Sequence, residues 1–351
     1  MNIREAIRVV TGGTDLGQEE AASVMDEIMT GAATPAQIAA FLTALHMKGE
    51  THAEIAGMAK VMHEKATPVP FDGPAVDTCG TGGDGSKTFN ISTTAAFVVA
   101  GAGLTVAKHG NRAMSSSAGS ADVLEQLGVK IDLDARGVAR CLHEAGIGFM
   151  FAPIFHPAMR FAGPVRREIG IRTVFNVLGP LSNPAHVRHQ LVGTPSAPLA
   201  QKLARALSRL QMTHALVVHG DGGLDELGLS GPSLVFEVRG GNEPERKVLD
   251  PTELGLKRAT VESLRGGSAE DNARITRDIL SEREQGPKYE VVLLNAAAAL
   301  VAGDVAPDLA HGLDLARASI AQGHALERLE RLIAISNATP DEEALPAEGR
   351  G

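Results

Sequence analysis

Glycines, hydroxyls and cations gather in two stretches of this sequence in a way that suits anion binding better than packing. The first runs over residues 77–93: Asp77, Thr78, Cys79, Gly80, Thr81, Gly82, Gly83, Asp84, Gly85, Ser86, Lys87, Thr88, Phe89, Asn90, Ile91, Ser92 and Thr93. Its glycines allow successive backbone amides to converge on one anion, and a helix starting at its end adds partial positive charge. Gly80, Gly82 and Gly85 satisfy G-x-G-x-x-G, but a dinucleotide site also needs an acidic residue about 20 positions on, and none lies between Asp84 and Asp122. Lys87-Thr88 cannot end a Walker A loop, because Thr81 and Ser86 stand where that loop needs glycines. The second stretch runs from Lys108 through His109, Gly110, Asn111, Arg112, Ala113, Met114, Ser115 and Ser116 to Ser120. Cations, an amide and hydroxyls at the end of a strand fit a phosphate or diphosphate. Residues 85–121 hold Lys87, Lys108 and Arg112 and no carboxylate.

Two further sets carry weaker signals. Asp225-Glu226, in a glycine-rich loop with Asp221 as a competitor, could hold a hard cation such as Mg²⁺ against substrate phosphates; an acidic surface turn is the plainer reading. Arg166, in Pro164-Val165-Arg166-Arg167-Glu168, could take a carboxylate bidentately from a helix start, although an exposed Arg167–Glu168 pair is ordinary. Residues 175–184 read as a buried, turn-rich pocket wall. His186 and His189 have the spacing of a metal pair but no third ligand nearby, which favours structural or surface roles. Cys79 has no basic partner in sequence, and neither a G-x-S-x-G elbow nor an H-E-x-x-H helix occurs. The inventory favours anion binding over nucleophile activation.

The elements that must position these groups fall into two blocks. Residues 1–67 read as four helices: an apolar face from Ile3 to Val10 stops at Gly12-Gly13, a second ends at Gly31, Thr34-Pro35 opens a third, and Thr51 with Glu54 caps a fourth. Ile38, Phe41, Leu42 and Leu45 make more apolar face than four helices hide, so further chain or a second subunit is expected to cover it. After Pro68, Pro70 and Pro74, strands are expected at 75–79, 104–108, 146–151, 190–193, 215–219 and 234–238. Helices are expected at 91–102, 121–127, 135–145, 198–211, 269–283, 288–301 and 309–334. The alternation predicts an α/β fold in which a small all-helical domain precedes a larger domain with a mostly parallel central sheet flanked by helices. The larger domain is expected over 72–155 and 186–337, with 156–185 joining the helical domain and 338–351 a loose tail. Lys plus Arg total 33 against 42 Asp plus Glu, and aromatics are 3% of the 351 residues, which disfavours nucleic acid. No apolar run approaches the ~20 residues of a membrane span, and two cysteines suit a reducing cytoplasm.

The motifs at 80–84, 90–93, 108–112, 119–122, 164–166, 175–184 and 225–226, in that order, resemble the anthranilate phosphoribosyltransferase family of tryptophan biosynthesis, over nearly the whole chain. The resemblance implies a fold of the nucleoside phosphorylase and phosphoribosyltransferase class, with the site at the hinge and a homodimer formed through the helical domain. It implies transfer of the phosphoribosyl group of 5-phospho-α-D-ribose 1-diphosphate (PRPP) to anthranilate. By the same resemblance PRPP is held by Gly80, Gly83, Asp84, Thr88, Asn90, Ile91, Ser92, Thr93, Lys108, His109, Gly110, Asn111, Arg112, Ala113, Met114, Ser115, Ser116 and Ser120. Mg²⁺ falls to Ser92, Asp225 and Glu226, and anthranilate to Gly80, Asn111 and Arg166. Lys108 and Arg112 stabilise the leaving group, with no covalent or strong acid–base residue. A pyrimidine nucleoside phosphorylase-like enzyme and a non-catalytic phosphate-binding regulator are the alternatives; association with an amidotransferase subunit is left open.

Overall fold

The computed structural model describes residues 1–113 and 117–338, so all but the first residue of the tail expected at 338–351 lies outside the described residues. Four helices come first: α1 (Ile3–Thr11), α2 (Gln18–Thr30), α3 (Pro35–Lys48) and α4 (His52–Glu64). Asn2, Thr34 and Thr51 cap α1, α3 and α4 through side-chain oxygens, with Glu5, Gln37 and Glu54 closing the reciprocal bond. The apolar face of α3 is covered within the chain: Ile38, Phe41, Leu42 and Leu45 are buried, and α9 (Met159–Ile169) packs on α3 and α2. That face therefore needs no second subunit.

The sheet contains β1 (Ala75–Gly80), β2 (Thr105–Gly110), β3 (Ile147–Phe151), β4 (His189–Gly193), β5 (His214–His219), β6 (Ser233–Arg239) and β7 (Glu245–Leu249). Its order is β3-β2-β1-β4-β5-β6-β7. The first five strands are parallel, while β6 and β7 are antiparallel additions. The chain leaves β1 for β2 and β3 and returns to the other side of β1 at β4, so order reverses between β1 and β4. Ligands of open α/β sheets bind outside the strand carboxyl ends at such a reversal. On one face lies an Ala- and Val-rich core built on α5 (Ile91–Gly101), with α6 (Ser120–Leu127), α7 (Ala135–Ala145), α12 (Ala269–Leu280), α13 (Pro287–Ala302), α14 (Leu309–Ala321) and α15 (His324–Asn337) around it. The other face packs on α11 (Ala197–Arg209), which joins the core of the helical block through α4.

Three departures from the expected elements have simple causes. β7 carries Glu245, Arg246 and Lys247 and lies at the sheet edge, where charge guards against unwanted pairing and erases the alternation that marks a strand. The single helix expected at 309–334 breaks at Gly323, whose φ of 76° is left-handed, giving α14 and α15. Residues 152–178 form α8 (Ala152–Phe155), α9 and α10 (Phe175–Leu178), so Arg166 sits in the last turns of α9 and not at a helix start. Pro164 lies inside α9, which opens on a tight turn with Met159 N–H on the His156 carbonyl at 3.0 Å and Arg160 N–H on that of Pro157 at 3.2 Å.

Candidate active site

The reversal point is occupied by the acidic loop. Gly80 ends β1 opposite Gly193, which ends β4. A Cβ on Gly80 would lie 2.2 Å from Asp225 Oδ2, and one on Gly193 would lie 1.7 Å from the Asp225 carbonyl oxygen. Only two glycines let the 225–226 backbone drop into this notch. Gly82 N–H then donates to Asp225 Oδ2 at 2.7 Å, tying the acidic loop to the glycine loop, and Thr81 N–H donates to the Gly193 carbonyl at 2.9 Å. From behind, Asn295 of α13 clamps the next residue: its Oδ1 accepts from Leu227 N–H and its Nδ2 donates to the Leu227 carbonyl, both at 3.0 Å.

Lys108 comes up from β2 beneath this junction, nearly buried, and its ammonium donates to the Thr78 carbonyl and, at 3.4 Å, to Ser92 Oγ. Around it the carboxylates outnumber the cation. Burial, then repulsion from Glu226 and Asp84, pushes Asp225 well above the usual carboxylate range. Burial pushes Glu226 up to about 7 against the opposing pull of Lys108 and the bonds from Ser92. Asp77 is also raised by burial, to about 6, while Lys108, Asn183 and the His109 amide favour its charged form. Excess negative charge beside the Ser92 hydroxyl is a fit for a divalent cation. No group of three His, Cys, Asp or Glu among the described residues is arranged to enclose a metal alone, so such an ion would draw further oxygens from substrate and water. Asp221, the competitor, is exposed and accepts from Ser230 Oγ at 3.0 Å away from the cavity.

The loop after β2 folds around Asp122, whose Oδ2 accepts from Ala113 N–H and Gly119 N–H at 2.9 Å each. Arg112 donates to Asp122 at 2.9 Å and to Glu125 at 2.8 and 3.0 Å, so in this arrangement its charge is paired with α6 at the cavity wall. Arg166 lies with its guanidinium 5.1 Å from the Phe175 ring centre, and burial lowers its pKa; no ion pair involves it among the described residues. An aromatic face leaves its donors for an incoming carboxylate.

One cavity of about 690 Å³ is lined by the glycine loop, Ser92, Lys108, Arg112, Arg166, Asp225 and Glu226. Every site residue expected from sequence lines it, except Met114, Ser115 and Ser116, which lie outside the described residues. Met62 of α4 and Arg160 of α9 close it from the helical side. His186 and His189 do not reach it: His189 Nδ1 faces the Ala302 carbonyl at 2.8 Å, and His186 stacks edge-on to His63. Cys79 lines the wall, but burial raises its thiol pKa well above normal, which leaves a poor nucleophile.

Several site residues lay outside the sequence reading. His156 Nε2 is 3.2 Å from His109 Nε2, and His109 Nδ1 is 3.1 Å from the Gly179 carbonyl, an acceptor that places a His109 proton on Nδ1. Burial depresses both, His109 to about 3 and His156 to about 4, so both stay neutral. Arg172 donates to the Thr81 carbonyl at 3.3 Å and fills the space beside Gly83 where a side chain would go. Asn183 donates to Asp77 Oδ2 at 2.9 Å and to the Ala107 carbonyl at 2.8 Å. Of these only Asn183 belonged to a segment whose turn residues marked it as a pocket wall.

A helical bundle joined to an α/β domain with an anion site at the strand reversal defines a class of glycosyl transferases. The model of the glycosyl transferase family's helical bundle domain matches residues 4–66, and that of its α/β domain matches 72–326. Within that class the chain belongs to the anthranilate phosphoribosyltransferase family. It is 72% identical over 336 residues to anthranilate phosphoribosyltransferase of Chloroflexus aggregans, covering 96% of this chain and 99% of that one. To the enzyme of Roseiflexus castenholzii it is 66% identical, covering 96% and 99%. The crystal structure of anthranilate phosphoribosyltransferase from Thermus thermophilus superposes with a TM-score of 0.89 at 45% identity, over 95% of this chain and 99% of that one. The Saccharomyces cerevisiae enzyme in complex with PRPP and Mg superposes with a TM-score of 0.86 at 28% identity, over 95% and 97%.

Proposed function

We propose that this protein transfers the phosphoribosyl group of PRPP to the amine of anthranilate, giving N-(5-phosphoribosyl)anthranilate and diphosphate, in tryptophan biosynthesis in the cytoplasm. The observation that carries this reading is the meeting of a glycine loop, the α5 N-terminus, a buried ammonium and an acidic loop in one cavity, with Arg166 poised in the same wall. A C–N bond forms at the anomeric carbon, the C–O bond to diphosphate breaks, and the amine sheds one proton. The leaving group gathers negative charge, which Lys108, the loop amides and the helix terminus are placed to answer. The neutral anthranilate amine needs alignment more than activation, which Arg166 on its carboxylate, with Gly80 and Asn111, would provide. Ser92, Asp225 and Glu226 would hold Mg²⁺, which when bound neutralises diphosphate oxygens. No membrane-crossing helix occurs among the described residues. For assembly we favour a homodimer through the groove between α1 and α3, where Val10, Ala39 and Ala40 flank Met47, which is 81% exposed. Phosphorus NMR tests the chemistry: PRPP signals should give way to inorganic diphosphate and a phosphomonoester only when anthranilate is present. Phosphate-dependent cleavage of uridine or thymidine with no such change would favour a phosphorylase.

A further inference from the structure

We propose that Asn272, on α12 and outside the substrate-binding sets above, is a positioning residue for the PRPP site that acts by fixing the amide of Asn90. The inference rests on the phosphoribosyltransferase reading of the cavity.

Asn272 is 1% exposed, and its Oδ1 accepts from Gly267 N–H at 2.8 Å. A backbone N–H can only donate, so this bond fixes which end of the Asn272 amide is which. Its Nδ2 donates to Asn90 Oδ1 at 2.9 Å, and Asn90 Nδ2 in turn donates to the Ala118 carbonyl at 3.2 Å. Both ends of this chain are main-chain groups of fixed polarity, so neither amide can flip without setting donor against donor or acceptor against acceptor. The chain thereby joins three segments: the α12 entrance, the glycine loop and the loop after β2. The first two are also zipped by backbone bonds, Phe89 N–H to the Leu264 carbonyl and Gly266 N–H to that of Lys87, both at 3.0 Å.

The consequence for the ligand lies in what Asn90 does not do. It occupies the N-cap position of α5, where an asparagine oxygen ordinarily accepts from the second or third helical amide, yet it makes no such bond. Asn272 holds that oxygen away. A self-capped α5 would answer its own terminal amides with the Asn90 oxygen and compete with phosphate for them. Held as it is, Asn90 satisfies its oxygen on the protein side and keeps a second Nδ2 hydrogen for the cavity it lines.

Asn272→Asp is isosteric but presents an acceptor to Asn90 Oδ1, and Asn272→Ser removes the contact without adding charge. Each should raise KM for PRPP by about tenfold, the scale of a lost buried hydrogen bond, while KM for anthranilate stays within about twofold. Because Asn272 acts through Asn90, Asn272→Ser added to Asn90→Ala should change KM for PRPP no further than Asn90→Ala alone. Multiplying effects in that double variant, equal rises in both KM values, or an unchanged KM for PRPP in both single variants would overturn the assignment. The wild-type control separates this from the underlying reading: no wild-type consumption of anthranilate refutes the activity, whereas normal wild-type kinetics with indifferent Asn272 variants refutes only the role of Asn272.

Discussion

Gly193→Ala probes the strand reversal directly. The added methyl would stand 1.7 Å from the Asp225 carbonyl oxygen, 2.4 Å from its carbon and 3.0 Å from the Glu226 nitrogen, so it meets main chain that cannot rotate away. Reaching even a 3.0 Å contact with that oxygen requires a displacement of about 1.3 Å of the strand end or of the acidic loop. The loop is held on its far side by the Asn295 clamp on Leu227, so strain is shared by β4 and the carboxylates. Overpacking of this kind costs about 1–3 kcal/mol of stability, and a misplacement of about 1 Å at a reacting centre costs on the order of 100-fold in rate. Gly241, in the β6–β7 turn, has no heavy atom within 4 Å of its Cβ position, so Gly241→Ala serves as the comparator. Initial rates of PRPP- and Mg²⁺-dependent anthranilate consumption, with urea denaturation beside them, should show Gly193→Ala slower by about 100-fold and less stable, and Gly241→Ala within about twofold of wild type. A Gly193→Ala protein with ordinary turnover and Mg²⁺ dependence would refute the placement of the acidic loop.

Other outcomes follow from the same geometry. Asp225→Asn with Glu226→Gln should lower turnover by more than about 100-fold and flatten its Mg²⁺ dependence; a normal Mg²⁺ titration of the double variant would remove these residues from the metal role. Arg166→Ala should raise KM for anthranilate by about 10- to 100-fold, the scale of a lost charge-assisted bond, and an effect confined to KM for PRPP would exchange the two pockets. His156 is held neutral by burial, with its pKa depressed from 6.5 to about 4. The unfolded chain therefore binds the extra proton between those values, so the His156 contribution is complete above pH 6.5 and is lost as pH falls toward 4, at about 1.4 kcal/mol per pH unit. Urea stability of His156→Gln should fall less steeply than wild type over that window, and parallel pH profiles would contradict it. Met47→Glu should give monomers by sedimentation if the α1–α3 groove is the dimer interface.

Much of the site was legible because its chemistry lies in local runs. Glycines and hydroxyls at 80–93 and cations at 108–112 each fall at the carboxyl end of a strand, which is where a parallel sheet presents ligands. The four N-terminal helices were legible from their caps and stops. What escaped was fixed by tertiary context. Gly193 matters only because β4 lands beside β1 and the acidic loop crosses both, which no spacing in sequence encodes. Asn272 sits in an amphipathic helix and Asn295 in an apolar, buried one, and their amides become meaningful only when α12 and α13 pack against the loops. The pairing of Arg112 with Asp122 and Glu125 also escaped, because both carboxylates lie just past the carboxylate-free run, in the first two turns of α6. The surplus apolar face of α3 was read correctly as needing cover, and α9 provides it across more than a hundred residues of chain.

The measurement closest to the central claim is anthranilate fluorescence on mixing fresh protein with PRPP and Mg²⁺. The account predicts a steady loss of signal that requires all three components, with one diphosphate released per anthranilate consumed. Unchanged fluorescence with properly folded wild-type protein, or loss of signal without diphosphate release, would contradict it.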